Sequence, residues 1–265
     1  AAYGDQPVDS IAYVAAHDDE TLFDRLTYKL PLGTAMADRV RMNTLCLAAI
    51  TLGQSPCFWA AGSELLRSKS LDADSYNSGD YFNAIDWTGR DNGWGRGLPP
   101  ANRNFETWII QAEILIRDDL RPTTHDIASA RAQALDLLRL RRSTPLFSLG
   151  SAELIRERVS FPTAGPQAQP GVIVMVIDDG AGEADVDPAL DGVVVDAPRS
   201  QPAGRRPRGS FPRALRRSGG GRRPGGARHA LRLGHRHGDG ARAHSRRPRR
   251  GLSGRPSQTP AEGAT

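Results

Sequence analysis

The chain has 265 residues, 38% of them hydrophobic and 25% charged, with a formal net charge of +5, enough length and apolar content for a packed core. No segment is apolar enough to span a bilayer, and Ala1 to Asp9 has neither the basic nor the apolar region of a leader, so localisation is not legible from it. The two cysteines, Cys46 and Cys57, lie in apolar surroundings with no CxxC or histidine companion, which points to buried free thiols rather than a disulfide or metal site.

The averages conceal two unlike segments that meet near Pro198. Arg199 to Thr265 holds 18 Arg against two acids, Asp239 and Glu262, for a formal +16, so residues 1–198 carry −11 by difference from the whole chain. The tail has no Val, Ile, Tyr or Trp and lacks the apolar content to fold alone. Clustered Arg suits a nucleic-acid-binding arm. Runs such as Gly219-Gly220-Gly221-Arg222-Arg223-Pro224 use residues with GC-rich codons, and fit a gene read out of frame better; nucleic acid would then bind only non-specifically.

In chain order, Ile11 to Ala16 reads as a buried strand, followed by His17-Asp18-Asp19-Glu20. A helix from about Glu20 to Lys29, with Asp19 as its N-cap, ends ahead of Pro31. A second helix runs to Leu52 and stops at Gly53, with Val40, Leu45, Ala48 and Leu52 on its apolar side. Pro56 to Gly62 reads as another buried strand, so the order is strand, helix, strand, the unit of a parallel sheet. Ser63 to about Asn104 is a connection too long for an ordinary linker, which favours a functional loop. Asn104 is expected to cap a helix carrying Phe105, Trp108, Ile109, Ala112 and Leu115. Thr123-x-x-Asp126 is a capping box for a helix to about Arg142, and Arg139, Arg141 and Arg142 suit its C-terminal dipole end. Strands are expected at Glu153–Phe161, Val172–Ile177 and Gly192–Val195.

The chemistry gathers at the exit of the first strand. A His-Asp pair ahead of a helix, here His17 and Asp18, is by itself more often capping than catalysis. Its company raises its standing: Glu64 to Ser70 and Asp74 to Asn83 follow the next strand, supplying Arg and carboxylate forks for hydroxyls and aromatic faces for sugar rings.

These motifs, with Ser143-Thr144-Pro145-Leu146-Phe147 and Val174 to Gly180, resemble the C-terminal part of pullulanase-type α-1,6-glucosidases, debranching enzymes of the α-amylase superfamily. The resemblance runs from about Ile11 to Pro198. It implies an α/β fold: the last two βα units of a (β/α)8 barrel over residues 1–145, the start of an incomplete β-sandwich over 146–198, then the disordered basic tail over 199–265. It also implies a retaining glycosidase acting on branched α-glucans such as pullulan, amylopectin and glycogen limit dextrins, from a secreted or cell-surface bacterial parent.

Carried over residue by residue, Asp18 matches the carboxylate that stabilises the oxocarbenium-like transition state, and His17 the neighbouring hydroxyl ligand. Asp19 stands where members often have Asn, next to the cleavage point. Asp74 resembles a position that contacts glucose further along the cleft. Arg67, Tyr76 and Asp80 either bind substrate or brace the loop. The nucleophile and general acid are expected upstream of Ala1, leaving the chain inactive alone. No metal ligands are read from the residues, and the resemblance leaves calcium open as a cofactor. The alternatives are a non-catalytic carbohydrate-binding remnant and a nucleic-acid binder acting through the tail.

Overall fold

A computed structural model describes residues 4–166, 172–180, 185–197, 213–218 and 229–231. The helices come first. Helix α1 spans Leu22–Lys29, capped by the Thr21 hydroxyl, which accepts from the Asp24 amide at 3.2 Å. The expected cap, Asp19, is instead left-handed at φ +56°, whereas an N-cap needs extended backbone. The helix therefore starts later than the sequence suggests. Helix α2 covers Met36–Thr51 and ends at Leu52 as expected.

The connection after residue 62 is a loop pinned by short helical turns: a 3-10 turn at Ser63–Leu65, α3 at Gly79–Asn83 and α4 at Ala101–Asn104. A second 3-10 turn, Phe105–Thr107, leads into α5, Trp108–Leu115. That turn shifts the helical phase. Phe105 and Ile109 are exposed, and Gln111 and Ile114 are buried instead. Asn104 does not cap with its side chain, because its amide serves the loop: Oδ1 accepts from Ala73 N at 2.9 Å, and Nδ2 donates to Asp72 Oδ1 and Pro100 O, both at 2.8 Å.

Helix α6, Thr124–Arg141, has the predicted capping box, Thr123 and Asp126 satisfying each other's backbone amides. It packs on α2, where the buried Thr44 hydroxyl donates to Gln133 Oε1 at 2.6 Å. Arg141 does more than complement its own helix end. Its guanidinium donates to the carbonyls of Thr51 at 2.6 Å and Gly53 at 2.7 Å, satisfying an orphan carbonyl in the last turn of α2 and one just beyond its end.

The two expected parallel strands meet at one bridge, Ala12 to Cys57, where Ala12 N donates to Pro56 O at 2.8 Å and Phe58 N to Ala12 O at 3.1 Å. The pairing is parallel, as read, but too short to make strands. A parallel pair gains stability from neighbours on both edges, and here Ile11, Tyr13 and Val14 stand exposed.

Beyond a 3-10 turn at Pro145–Phe147, the expected strand from Glu153 to Phe161 is mostly helix: α7, Ala152–Arg158, precedes a two-residue β1, Val159–Ser160. Ser151 caps α7 by accepting from Leu154 N at 3.1 Å, and Glu153 to Arg158 are good helix formers apart from Ile155. The next strands are β2, Ile173–Asp178, and β3, Leu190–Ala197, close to expectation. β4, Arg213–Ser218, and β5, His229–Leu231, complete an antiparallel sheet ordered β1-β2-β3-β4-β5. These last two fall in the segment expected to be disordered, and correct that expectation at those residues, since the open edge of β3 offers backbone groups to pair with. The rest of the Arg-rich segment lies outside the described residues, and no second sheet of a sandwich is among them.

Two apolar clusters hold this together. One joins Leu47 and Leu52 of α2 and Leu137 and Leu140 of α6 to Leu146, Phe147 and Ile177 under the sheet. The other gathers Phe23, Val40, Leu66, Leu71, Trp94 and Ile127 beneath the long loop.

Candidate functional site

The loop is fastened to α1 by one carboxylate. Asp24 is fully buried, and its oxygens accept from the Ser68 hydroxyl at 2.5 Å, Lys69 N at 2.7 Å and Leu71 N at 3.3 Å. Burial pushes its pKa up to about 6, against the lowering effect of those donors. This anchor explains why Leu65 to Ser70 holds its shape, and it sets the next contact. Lys69, buried, reaches back so that its Nζ donates to the Asp19 carbonyl at 2.8 Å and to the Ser75 hydroxyl. Burial lowers the Lys69 pKa, with Asp72 and Asp24 opposing.

The His17-Asp18-Asp19 turn is thereby held against the loop. His17 Nδ1 lies 3.3 Å from Asp18 Oδ1, and both side chains are open to solvent, 87% and 73% exposed. Asp19 Oδ1 accepts from Arg103 Nη2 at 3.1 Å, so its carboxylate links the turn to the far end of the same loop. Arg25 lies 3.8 Å from Asp19 and 2.8 Å from Glu20.

Arg67 braces the loop: its guanidinium donates to Ala61 O at 3.4 Å and Asn83 O at 2.5 Å, and burial lowers its pKa. Its stem lies against Gly62, where φ is +88° and a Cβ would come within 2.8 Å of the Arg67 chain. Asp74 also serves the loop. Burial raises its pKa, but hydrogen bonds from Asn77 and Tyr76 prevail and hold it below the ordinary carboxylate range, with amide contacts of 3.3 and 3.1 Å. Tyr76 is 93% exposed, and Asp80 is exposed in the first turn of α3.

A cavity of about 120 Å³ opens between these parts, lined by Ala16, His17, Arg67, Lys69, Ser75 and Asn83 among others. Of the residues singled out from sequence, His17 and Arg67 share it, while Asp74, Tyr76 and Asp80 lie elsewhere on the loop. A larger groove of about 380 Å³ shares Ala60 and Ala61 with that cavity and lies between Trp59, Trp87 and the α6 residues Arg131 and Leu135. Sequence reasoning gives no role to Asp24 or Lys69 and reads Asn104 only as a helix cap; nothing local marks Asp24 as buried. Among the described residues no group of three or more His, Cys, Asp or Glu is placed to hold a metal, and no helix is long and apolar enough to cross a membrane.

Comparison with known proteins gives the arrangement a family. Residues 89–199 match the model of the C-terminal region of pullulanase-type alpha-1,6-glucosidases. The chain is 44% identical over 198 residues to the chloroplastic pullulanase 1 of Arabidopsis thaliana, covering 73% of this chain and 20% of that protein. It is 39% identical over 198 residues to the pullulanase of Klebsiella pneumoniae, covering 73% and 18%. The solved structure of Klebsiella pneumoniae pullulanase complexed with maltotriose superimposes with a TM-score of 0.70 at 39% identity, over 73% of this chain and 18% of that one. The chain thus spans about a fifth of the length of these relatives. On these matches, together with the order of motifs from the His17-Asp18 turn to the Asp178-Asp179-Gly180 turn after β2, the chain belongs to the pullulanase-type α-1,6-glucosidase family and corresponds to its C-terminal region.

Proposed function

We propose that this chain is part of a debranching glycoside hydrolase that cleaves α-1,6-glucosidic bonds in branched α-glucans, by a retaining mechanism. The observation that carries the reading is the position of His17 and Asp18. They follow directly on a segment bridged in parallel to its neighbour, and His17 lines a cavity with the polar side chains of Arg67 and Lys69. The exits of parallel strands are where a (β/α)8 barrel keeps its reacting groups. On this reading residues 1–145 are barrel, 146–198 begin a sandwich and 199–265 take no part in catalysis. The exposed Ile11, Tyr13, Val14 and Phe58 support it, since strands of a closed parallel sheet are apolar on both faces.

The roles are those the family resemblance implies, and the exposure of both side chains agrees with them. The exposed Asp18 carboxylate accepts hydrogen bonds from vicinal ring hydroxyls and places negative charge near the cationic ring carbon of the transition state. His17, with Nδ1 toward Asp18, offers its other ring nitrogen to a hydroxyl. The glycosidase pair, nucleophile and general acid about 5 Å apart, is assigned to the four-fifths of the relatives' length that has no counterpart here, so the chain alone releases no sugar. The maltotriose complex of the Klebsiella relative supports an α-glucan as the ligand.

Grafting residues 4–197 into the Klebsiella enzyme in place of its matching segment tests this. The graft is expected to hydrolyse pullulan, and Asp18→Asn within it to lower kcat by roughly 10²–10³-fold. Hydrolysis unaffected by Asp18→Asn sinks the assignment. The exposed Tyr76, Tyr81 and Trp87 favour a second reading, carbohydrate binding without catalysis. That reading is supported if the graft is inactive while the chain lacking 199–265 still sediments with amylopectin.

A further inference from the structure

We propose that Lys69 is a positioning residue that fixes the backbone of the His17-Asp18-Asp19 turn, an inference that rests on the glucan-cleaving reading of that turn. Asp19 adopts φ +56°, a conformation uncommon outside glycine that persists only when its surroundings hold it there. Its side chain is a poor candidate for that work. The contact to Arg103 joins groups 51% and 56% exposed, and such pairs contribute little in water.

The carbonyl of Asp19 has a better anchor. It accepts from Lys69 Nζ at 2.8 Å, and Lys69 is only 2% exposed, an unusual place for a lysine without a purpose. The ammonium also donates to the Ser75 hydroxyl, and the amide of the same residue is locked on Asp24. A charged donor acting from a buried, braced side chain holds its acceptor more firmly than an exposed neutral one. Lys69 is therefore a fixed point, seated on α1 through Asp24, from which the turn hangs. His17 and Asp18 are mostly exposed and have little packing of their own, so the direction of their side chains follows the backbone that Lys69 sets. Catalytic groups misplaced by about an ångström lose much of their effect.

The test uses the 265-residue chain labelled with ¹⁵N, with maltotriose as the probe. In Lys69→Met, the amide signals of His17 to Asp19 are expected to move toward unstructured positions while those of α6 stay, and maltotriose affinity to fall about tenfold or more. Adding Asp19→Gly should return the His17 and Asp18 signals, because glycine adopts positive φ without an anchor. Signals for 17–19 unchanged in Lys69→Met overturn the proposal. If Lys69→Met does not fold, a folded Lys69→Met/Asp19→Gly double variant supports the proposal, and an unfolded one overturns it by reducing Lys69 to general support. Absence of maltotriose binding by the unsubstituted chain rejects the glucan reading, and the signals still decide the role of Lys69.

Discussion

Asp24 and Ser68, 44 positions apart, share a 2.5 Å hydrogen bond in which the hydroxyl donates to a fully buried carboxylate. Its pKa of about 6 lies above the unfolded value near 3.8, so between these values the folded state binds the proton that the unfolded state does not. Stability from this group therefore rises as pH falls from above 6 toward 4, by on the order of 3 kcal/mol. Asp24→Asn, shaped like the protonated acid, should keep stability at pH 7 within about 1 kcal/mol of the parent and abolish this pH dependence. Asp24→Ala strands the Ser68, Lys69 and Leu71 donors and should cost roughly 3 kcal/mol or more. Urea unfolding at pH 5 and pH 7 measures all three; an unchanged slope in Asp24→Asn would refute the assignment.

A second buried charge ties α7 to the turn after β2. Arg158 and Asp179 are an ion pair almost without solvent exposure, and Arg158 also donates to the Asp179 carbonyl at 3.1 Å. Asp179 additionally accepts from Val186 N at 3.0 Å and Asp187 N at 2.7 Å, so its carboxylate ties the turn to the segment before β3 as well as to α7. Asp179→Ala removes the charge opposite a buried guanidinium together with the acceptor for both amides, and should cost about 3–5 kcal/mol. A loss below about 1 kcal/mol in a denaturant titration would contradict this role.

What could be read from the sequence divides along the range of the interactions concerned. The box at Thr123 and Asp126 was legible because its two partners are three residues apart; so was the end of α2, where Gly53 follows the last turn. The parallel relation of Ile11–Ala16 to Pro56–Gly62 was legible as order, but its collapse to one bridge depends on neighbours that local patterning does not report. Glu153 to Phe161 was misread because β-formers at its C-terminal end, Val159 and Phe161, outweighed the Ser151 cap and the helix formers ahead of them. In the site, His17 and Asp18 stood out by residue type. Asp24 and Lys69 were silent, because their importance lies in contacts made across 45 and 50 positions.

The capping box gives a local prediction. Thr123→Ala removes the acceptor for the Asp126 amide and should lower stability by about 1 kcal/mol. Thr123→Ser, which keeps the oxygen, should change it by only a few tenths. Thermal unfolding of the two variants side by side makes the comparison, and equal effects would mean that the methyl group rather than the cap matters.

The exposed rings of Tyr13 and Phe58 stack at 5.0 Å with planes 19° apart, on the two segments joined at Ala12 and Cys57. With Ile11 and Val14 also exposed, they form an apolar patch beside the single bridge that joins the two segments. Such a surface promotes association, and the isolated chain is expected to self-associate in a concentration-dependent way. Tyr13→Asp and Phe58→Asp together should raise the concentration at which it does so. Because both rings face solvent, the double variant should shift unfolding by no more than about 1 kcal/mol. Sedimentation velocity across a concentration series, with a urea titration alongside, separates the two effects. Association unchanged by the charges would place the sticky surface elsewhere, with the groove between Trp59, Trp87 and Leu135 the next site to substitute.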